Sequence, residues 1–147
     1  MFLQIFKHIH SGARWWLLIF LVAAIVSAII KLIQRKDYSV LNKQLSILTM
    51  SFAHIQLIVG LVLYFISNKV VFSAQSMSNH MLRFFLVEHL LMMLVAIVLI
   101  TIGYSKIKRA QKSSLKHKRT LIFYGIALLI ILVAIPWPWQ IFGAGWL

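Results

Sequence analysis

A chain of 147 residues with 62% hydrophobic side chains, only two acidic residues and a formal charge of +13 is too apolar for an ordinary soluble domain and falls in the membrane class. It contains no cysteine, which excludes disulfide bracing, covalent c-type haem attachment and thiolate-held zinc or iron–sulfur clusters, and leaves nitrogen, oxygen and thioether donors. The basic residues are not interleaved with aromatics as in a nucleic-acid platform, so nucleic acid is not an expected partner.

The opening "MFLQIFKHIHSGARWWLLIFLVAAIVSAII" begins like a secretory signal. Its apolar run nevertheless continues to Ile33 with no polar mature domain behind it, so it reads as a retained first span over about 12–33, with "FLQIF" able to extend it. The polar linker "KLIQRKDYSVLNK" leads to a second span at about 44–66, and a third and fourth follow at about 82–103 and 116–135. Each supplies the roughly 20 apolar residues that a helix needs to cross the hydrocarbon. The predicted fold is all-α, an integral-membrane antiparallel four-helix bundle forming one transmembrane domain over 1–147.

The connections differ in charge. The first carries Lys31, Arg35, Lys36 and Lys43, and the third carries Lys106, Lys108, Arg109, Lys112, Lys116, Lys118 and Arg119. The second and its margins carry only Lys69 and Arg83. The positive-inside rule therefore places the first and third connections in the cytoplasm and both termini outside, with the basic loops drawn to anionic lipid. Pro136 ends the fourth helix, and Trp137, Trp139 and Trp146 are expected at the headgroup level.

Ionisable residues inside such spans need a reason. By counting residues from the span ends, His54 and His89 reach comparable, near-central depths on antiparallel neighbours, which makes them the expected axial pair for the iron of one haem b. Gly60 and Gly125 are the small residues expected to make room for a porphyrin, although small residues also serve close helix packing. A rival arrangement pairs His10 with His89 and His54 with His117 around two haems. Depth argues against it, since His117 lies about 10 Å from the level of His54 by helical rise. His8 and His80 read as surface residues, and Met92 and Met93 as packing. Arg14 and Arg83, both toward the outer side, are expected nearest the haem propionates. Glu88 is expected to reach His10 Nδ1 or the Arg14 guanidinium, as a structural partner or as part of a proton relay.

The segments "HSGARWWLL", "AHIQLIVGLVLYF", "LRFFLVEHLLMMLVAIVLITIGYSK", "KHKR" and "FYGIALLIILVAIPWPW" together resemble a family of small four-span bacterial membrane proteins, frequent in the Bacteroidetes and commonly labelled "cytochrome B". The resemblance covers nearly the whole chain, with His10, His54, His89 and His117 matching its recurring histidines. A more distant likeness is to the cytochrome b561 core and the half-bundle of haem A synthase, whose folds hold histidine pairs in a membrane bundle. The paired-histidine spacing within one span of the larger respiratory cytochromes b is missing. The resemblance implies a b-type haem protein that exchanges electrons with quinol or a neighbouring redox subunit, an electron carrier more than a stand-alone enzyme. The alternative is a non-enzymatic assembly or accessory subunit of a respiratory membrane complex, and either role admits an oligomer or larger assembly.

Overall fold

The computed structural model describes residues 1–140, and Trp146 lies outside the described residues. Among the described residues four helices are long and apolar enough to cross a membrane: α1 (Phe2–Ile33), α2 (Val40–Ile66), α3 (His80–Arg109) and α4 (Ser113–Ala134). The chain is a multi-pass membrane protein. α1 packs against α2 and α4, and α3 against the same two, so the helices form a ring in chain order with α1 and α3 on the diagonal.

Each helix buries a narrow stripe and turns the rest of its circumference outward. The stripes run through Leu17, Leu21, Ala24 and Ala28 of α1, Asn42, Ser46, Thr49, Ala53 and Gln56 of α2, Ala96, Ile100, Gly103 and Ile107 of α3, and His117, Thr120, Tyr124, Ala127, Ile131 and Ala134 of α4. Their alternating spacing of three and four is the seam of a coiled-coil-like bundle. Small seam residues let the backbones approach, which matters where lipid removes the hydrophobic drive for helix association. Large apolar residues such as Ile19, Val26, Ile58, Leu129 and Val133 are exposed, as a lipid-facing surface requires.

Helix ends lie further out than hydropathy alone predicts. α1 begins at Phe2 because "FLQIFKHIH" continues the helical pattern without a breaker. It stops where Arg35 takes φ 54° and Lys36 N–H bonds back to Lys31 C=O at 2.9 Å, a Schellman-type end built without glycine. α2 starts at Val40, and the Ser39 backbone N–H donates to Asn42 Oδ1 at 3.2 Å. α3 starts where Asn79 Oδ1 accepts from Leu82 N–H, and it runs on to Arg109, where Lys106, Lys108 and Arg109 favour a helix C-terminus. Ahead of it, a 3₁₀ turn, Ala74–Met77, is held by Ser76 Oγ donating to Val71 C=O at 2.7 Å.

One irregularity sits inside α3: Phe84–Glu88 is a π turn, immediately before His89. Such turns occur mostly singly within α-helices and concentrate at functional sites. The Tyr64 hydroxyl of α2 donates to the Leu86 carbonyl at 3.0 Å, tying the turn to its neighbour.

Candidate functional site

The half of the bundle holding the α1 N-terminus and the α2–α3 connection encloses a cavity of about 360 Å³, within the range of small-ligand sites. His10 and Arg14 reach it from α1, Gln56 and Gly60 from α2, and His89 and Met93 from α3. The expected pairing of His54 with His89 is not formed; His10 stands opposite His89, with ring centroids 6.4 Å apart and planes at 70°.

His89 owes its position to α4. Its Nδ1 donates to the Ala134 carbonyl at 2.8 Å, which fixes the tautomer and leaves the lone pair on Nε2. On the other side, Gly60 lies so close to His10 that a Cβ there would come within 3.2 Å of His10 Cε1. Gln56 Nε2 donates to the His10 carbonyl at 3.0 Å, while Gln56 Oε1 and His10 Nδ1 are both buried without a hydrogen-bond partner. A buried donor and a buried acceptor left open on residues already joined is unusual in a folded protein.

The depth count fails for His54 for a geometric reason. Its Nδ1 donates to Met50 C=O at 2.8 Å within α2, and its Nε2 faces Thr101 Oγ1 of α3 at 3.5 Å. Thr101 is twelve residues beyond His89, about three helical turns. The count assumed that neighbouring spans begin level, whereas Tyr64, near the end of α2, already meets Leu86, well inside α3. His54 therefore lies deeper than His89 and outside the cavity.

His117 is remote from both. It is buried at the other end of the bundle, where its Nε2 donates to Lys36 C=O at 3.2 Å and its ring packs on Tyr38 at 5.4 Å. Of the cross-paired arrangement, His10 and His89 come together and His54 and His117 do not. Gly125 does not line the cavity, and a Cβ there would meet nothing within 4 Å. His8 and His80 are exposed, and Met93 lines the cavity while packing on the core.

The charged residues also differ from expectation. Arg83 turns away from the cavity, donating through Nε to Glu88 Oε1 at 2.8 Å and through a terminal nitrogen to Met77 C=O at 3.3 Å. Glu88 thus reaches neither His10 nor Arg14. The π turn explains the pairing, because its wider i→i+5 winding brings positions five apart, here 83 and 88, close together on the helix surface. Arg14 does line the cavity, its guanidinium over the Trp15 ring at 5.3 Å.

Two lysines that sequence reasoning passed over join it. Lys7 and Lys69 line the same mouth, Lys69 with its ammonium 4.8 Å from the Phe85 ring centre. Burial, and then the nearby Lys7 charge, pull the Lys69 ammonium below the ordinary lysine range. Among the described residues no acidic side chain lines this mouth, and Lys7, Arg14 and Lys69 give it a cationic rim. Beside it, Trp137 stacks on Trp139 at 5.0 Å and donates its indole N–H to Leu132 C=O at 2.9 Å.

Among the described residues no cluster of three or more histidine or carboxylate side chains is placed to hold a bare metal ion. The site offers two imidazoles and a cationic rim. Comparison of the chain with protein families, curated proteins and solved structures found no match.

Proposed function

We propose that the chain is a membrane cytochrome that holds one haem b between His10 and His89 and exchanges electrons with quinol or a neighbouring redox subunit, in a bacterial inner membrane. The observation that carries this reading is the facing imidazole pair. His10 and His89, with ring centroids 6.4 Å apart at the cavity, would be the two residues to hold the haem iron, since imidazole nitrogen is a donor that suits it. The Ala134 carbonyl bond supports it further, since ligating histidines ordinarily give their second N–H to such an acceptor.

The rest of the cavity suits the same ligand. Lys7, Arg14 and Lys69 would meet the two propionates, and the apolar walls would exclude water. Gln56 Nε2, bonded to the His10 carbonyl, steadies the helix turn that carries His10. Bound haem would supply one-electron exchange, with His10 and His89 holding it between α1 and α3.

Pyridine haemochrome assay of protein purified after ample haem supply tests this. One haem b per chain is expected in the unmutated protein and in His54→Ala, with none in His10→Ala or His89→Ala. Carbon monoxide should bind the reduced protein slowly, because it must displace a helix-anchored imidazole. A colourless protein would overturn the reading and leave the accessory-subunit role. Retention in His10→Ala with loss in His54→Ala would restore the pairing predicted from depth.

A further inference from the structure

The opposite end of the bundle, which carries the two lysine-rich connections, contains a second cavity of about 310 Å³. Lys43 of α2, Lys108 of α3 and Lys116 of α4 bring three ammonium groups to it from three helices, and Tyr38, Ser46 and Tyr104 add hydroxyls. Among the described residues no acidic side chain lines it. Its hydroxyl wall is built: the Tyr38 phenol donates to Asn42 C=O at 3.1 Å and shares a 2.9 Å hydrogen bond with Ser46 Oγ. Burial is the main reason that the Tyr38 phenol is raised above its ordinary value and stays a neutral hydroxyl. Lys116 Nζ lies over the Tyr38 ring at 5.2 Å, which holds one ammonium against this wall. Lys116 is in the first turn of α4, and Lys43 is in the first turn of α2. The positive ends of two helix dipoles therefore add to the lysine charges.

A concave space lined by three lysines and several hydroxyls, opening at the polar end of a membrane bundle, is suited to an oxyanion. We propose that this cavity is a binding site for the phosphate group of an anionic ligand, a chemistry shared by acidic phospholipid headgroups and free phosphate. The lysines neutralise the oxyanion and donate to its oxygens, the Tyr104 hydroxyl adds a neutral donor beside the Tyr38–Ser46 wall, and one bound ligand joins three helices.

The competing explanation is a diffuse positive end that attracts anionic lipid without a site. Two triple variants with equal loss of charge separate the possibilities: Lys43→Gln/Lys108→Gln/Lys116→Gln removes the cavity cations. Arg109→Gln/Lys112→Gln/Lys118→Gln removes exposed cations outside it. The full-length protein is reconstituted with dioleoyl phosphatidylglycerol in a phosphatidylcholine excess, and retained lipid is counted by native mass spectrometry. One phosphatidylglycerol per chain is expected, with affinity falling at least tenfold in the cavity variant and less than twofold in the other. Equal loss in both variants, or no retained lipid and no phosphate binding by unmutated protein, would overturn the proposal. A parallel titration with inorganic phosphate, against sodium chloride of equal ionic strength, distinguishes the sources. Saturable phosphate binding that the cavity variant lacks identifies free phosphate as sufficient, and its absence beside retained phosphatidylglycerol identifies the lipid. The arginine version, Lys43→Arg/Lys108→Arg/Lys116→Arg, should restore binding, which separates loss of charge from loss of fold.

Discussion

The two halves of the bundle use the same seam for different ends. Toward the lysine-rich loops the seam polar groups largely answer one another: Asn42 Nδ2 donates to Ser27 Oγ at 2.8 Å, Tyr124 donates to Ser46 C=O at 3.3 Å, and Thr49 and Thr120 bond back to their own helices. The His117 Nδ1 lone pair is the exception. Toward the termini, His10, Gln56 and His89 occupy equivalent seam positions, yet they border open space and leave a buried donor and acceptor unpaired. A polar residue in a membrane seam is therefore read as packing or as a site by whether its partners lie within the bundle.

Ligand loss should give the largest contrast between the halves. His89→Ala is expected to abolish haem binding while His117→Ala retains it, measured by haemochrome content per chain. Gln56→Leu should keep the fold but weaken haem retention by about 2- to 10-fold, the scale of losing the one hydrogen bond that steadies the His10 carbonyl, read from transfer of haem to an apoprotein acceptor. Steric insertion sharpens the comparison. At Gly103 a Cβ would come within 2.5 Å of Phe123 Cβ across the α3–α4 seam, so Gly103→Ala should destabilise the bundle by about 1–3 kcal/mol. Gly60→Ala should instead displace His10 and change the haem spectrum with a smaller loss of stability, compared by unfolding in mixed micelles. In the satisfied half, Tyr124→Phe should cost about 0.5–1.5 kcal/mol for one hydrogen bond. The smallest effect belongs to Glu88→Gln. Its side chain is 36% exposed beside an Arg83 that is 37% exposed, so stability should change by under about 1 kcal/mol. The haem midpoint potential should stay unchanged.

Much of this was legible from spacing. His10, Arg14, Leu17, Leu21, Ala24 and Ala28 follow one another at intervals of four and three, as do Asn42, Ser46, Thr49, Ala53, Gln56 and Gly60 on α2 and His89, Met93, Ala96, Ile100, Gly103 and Ile107 on α3. Continuing each buried stripe outward selects His10, Gln56, Gly60 and His89 together. It leaves His54 one position off its seam, a sharper signal than depth. Relative depth was not legible, because it depends on how the 67–79 connection staggers α2 against α3 and on the π turn within α3. Lys7 and Lys69 are brought together by that same connection, and nothing local in either segment marks them as a pair. The Ala134 carbonyl partner of His89 is a backbone group, which sequence pattern does not reveal.

The π turn also sets how α3 tolerates changes in length. It is one residue of surplus absorbed in the helix, so the frame of side-chain faces before Arg83 and after His89 is offset by one position. Deleting Val87 would let the segment relax to ordinary α geometry while every face from His89 onward stays in register with α2 and α4. The first turn, His80–Arg83, would keep its facing, and Arg83 and Glu88 would become an i,i+4 pair, still neighbours on the helix surface. The same deletion two turns further along would rotate all of α3 above it, His89 included, away from His10. Tolerance to single-residue deletion should therefore be confined to five positions, Phe84–Glu88, a pattern that a deletion scan of α3 would display as a narrow window of retained haem.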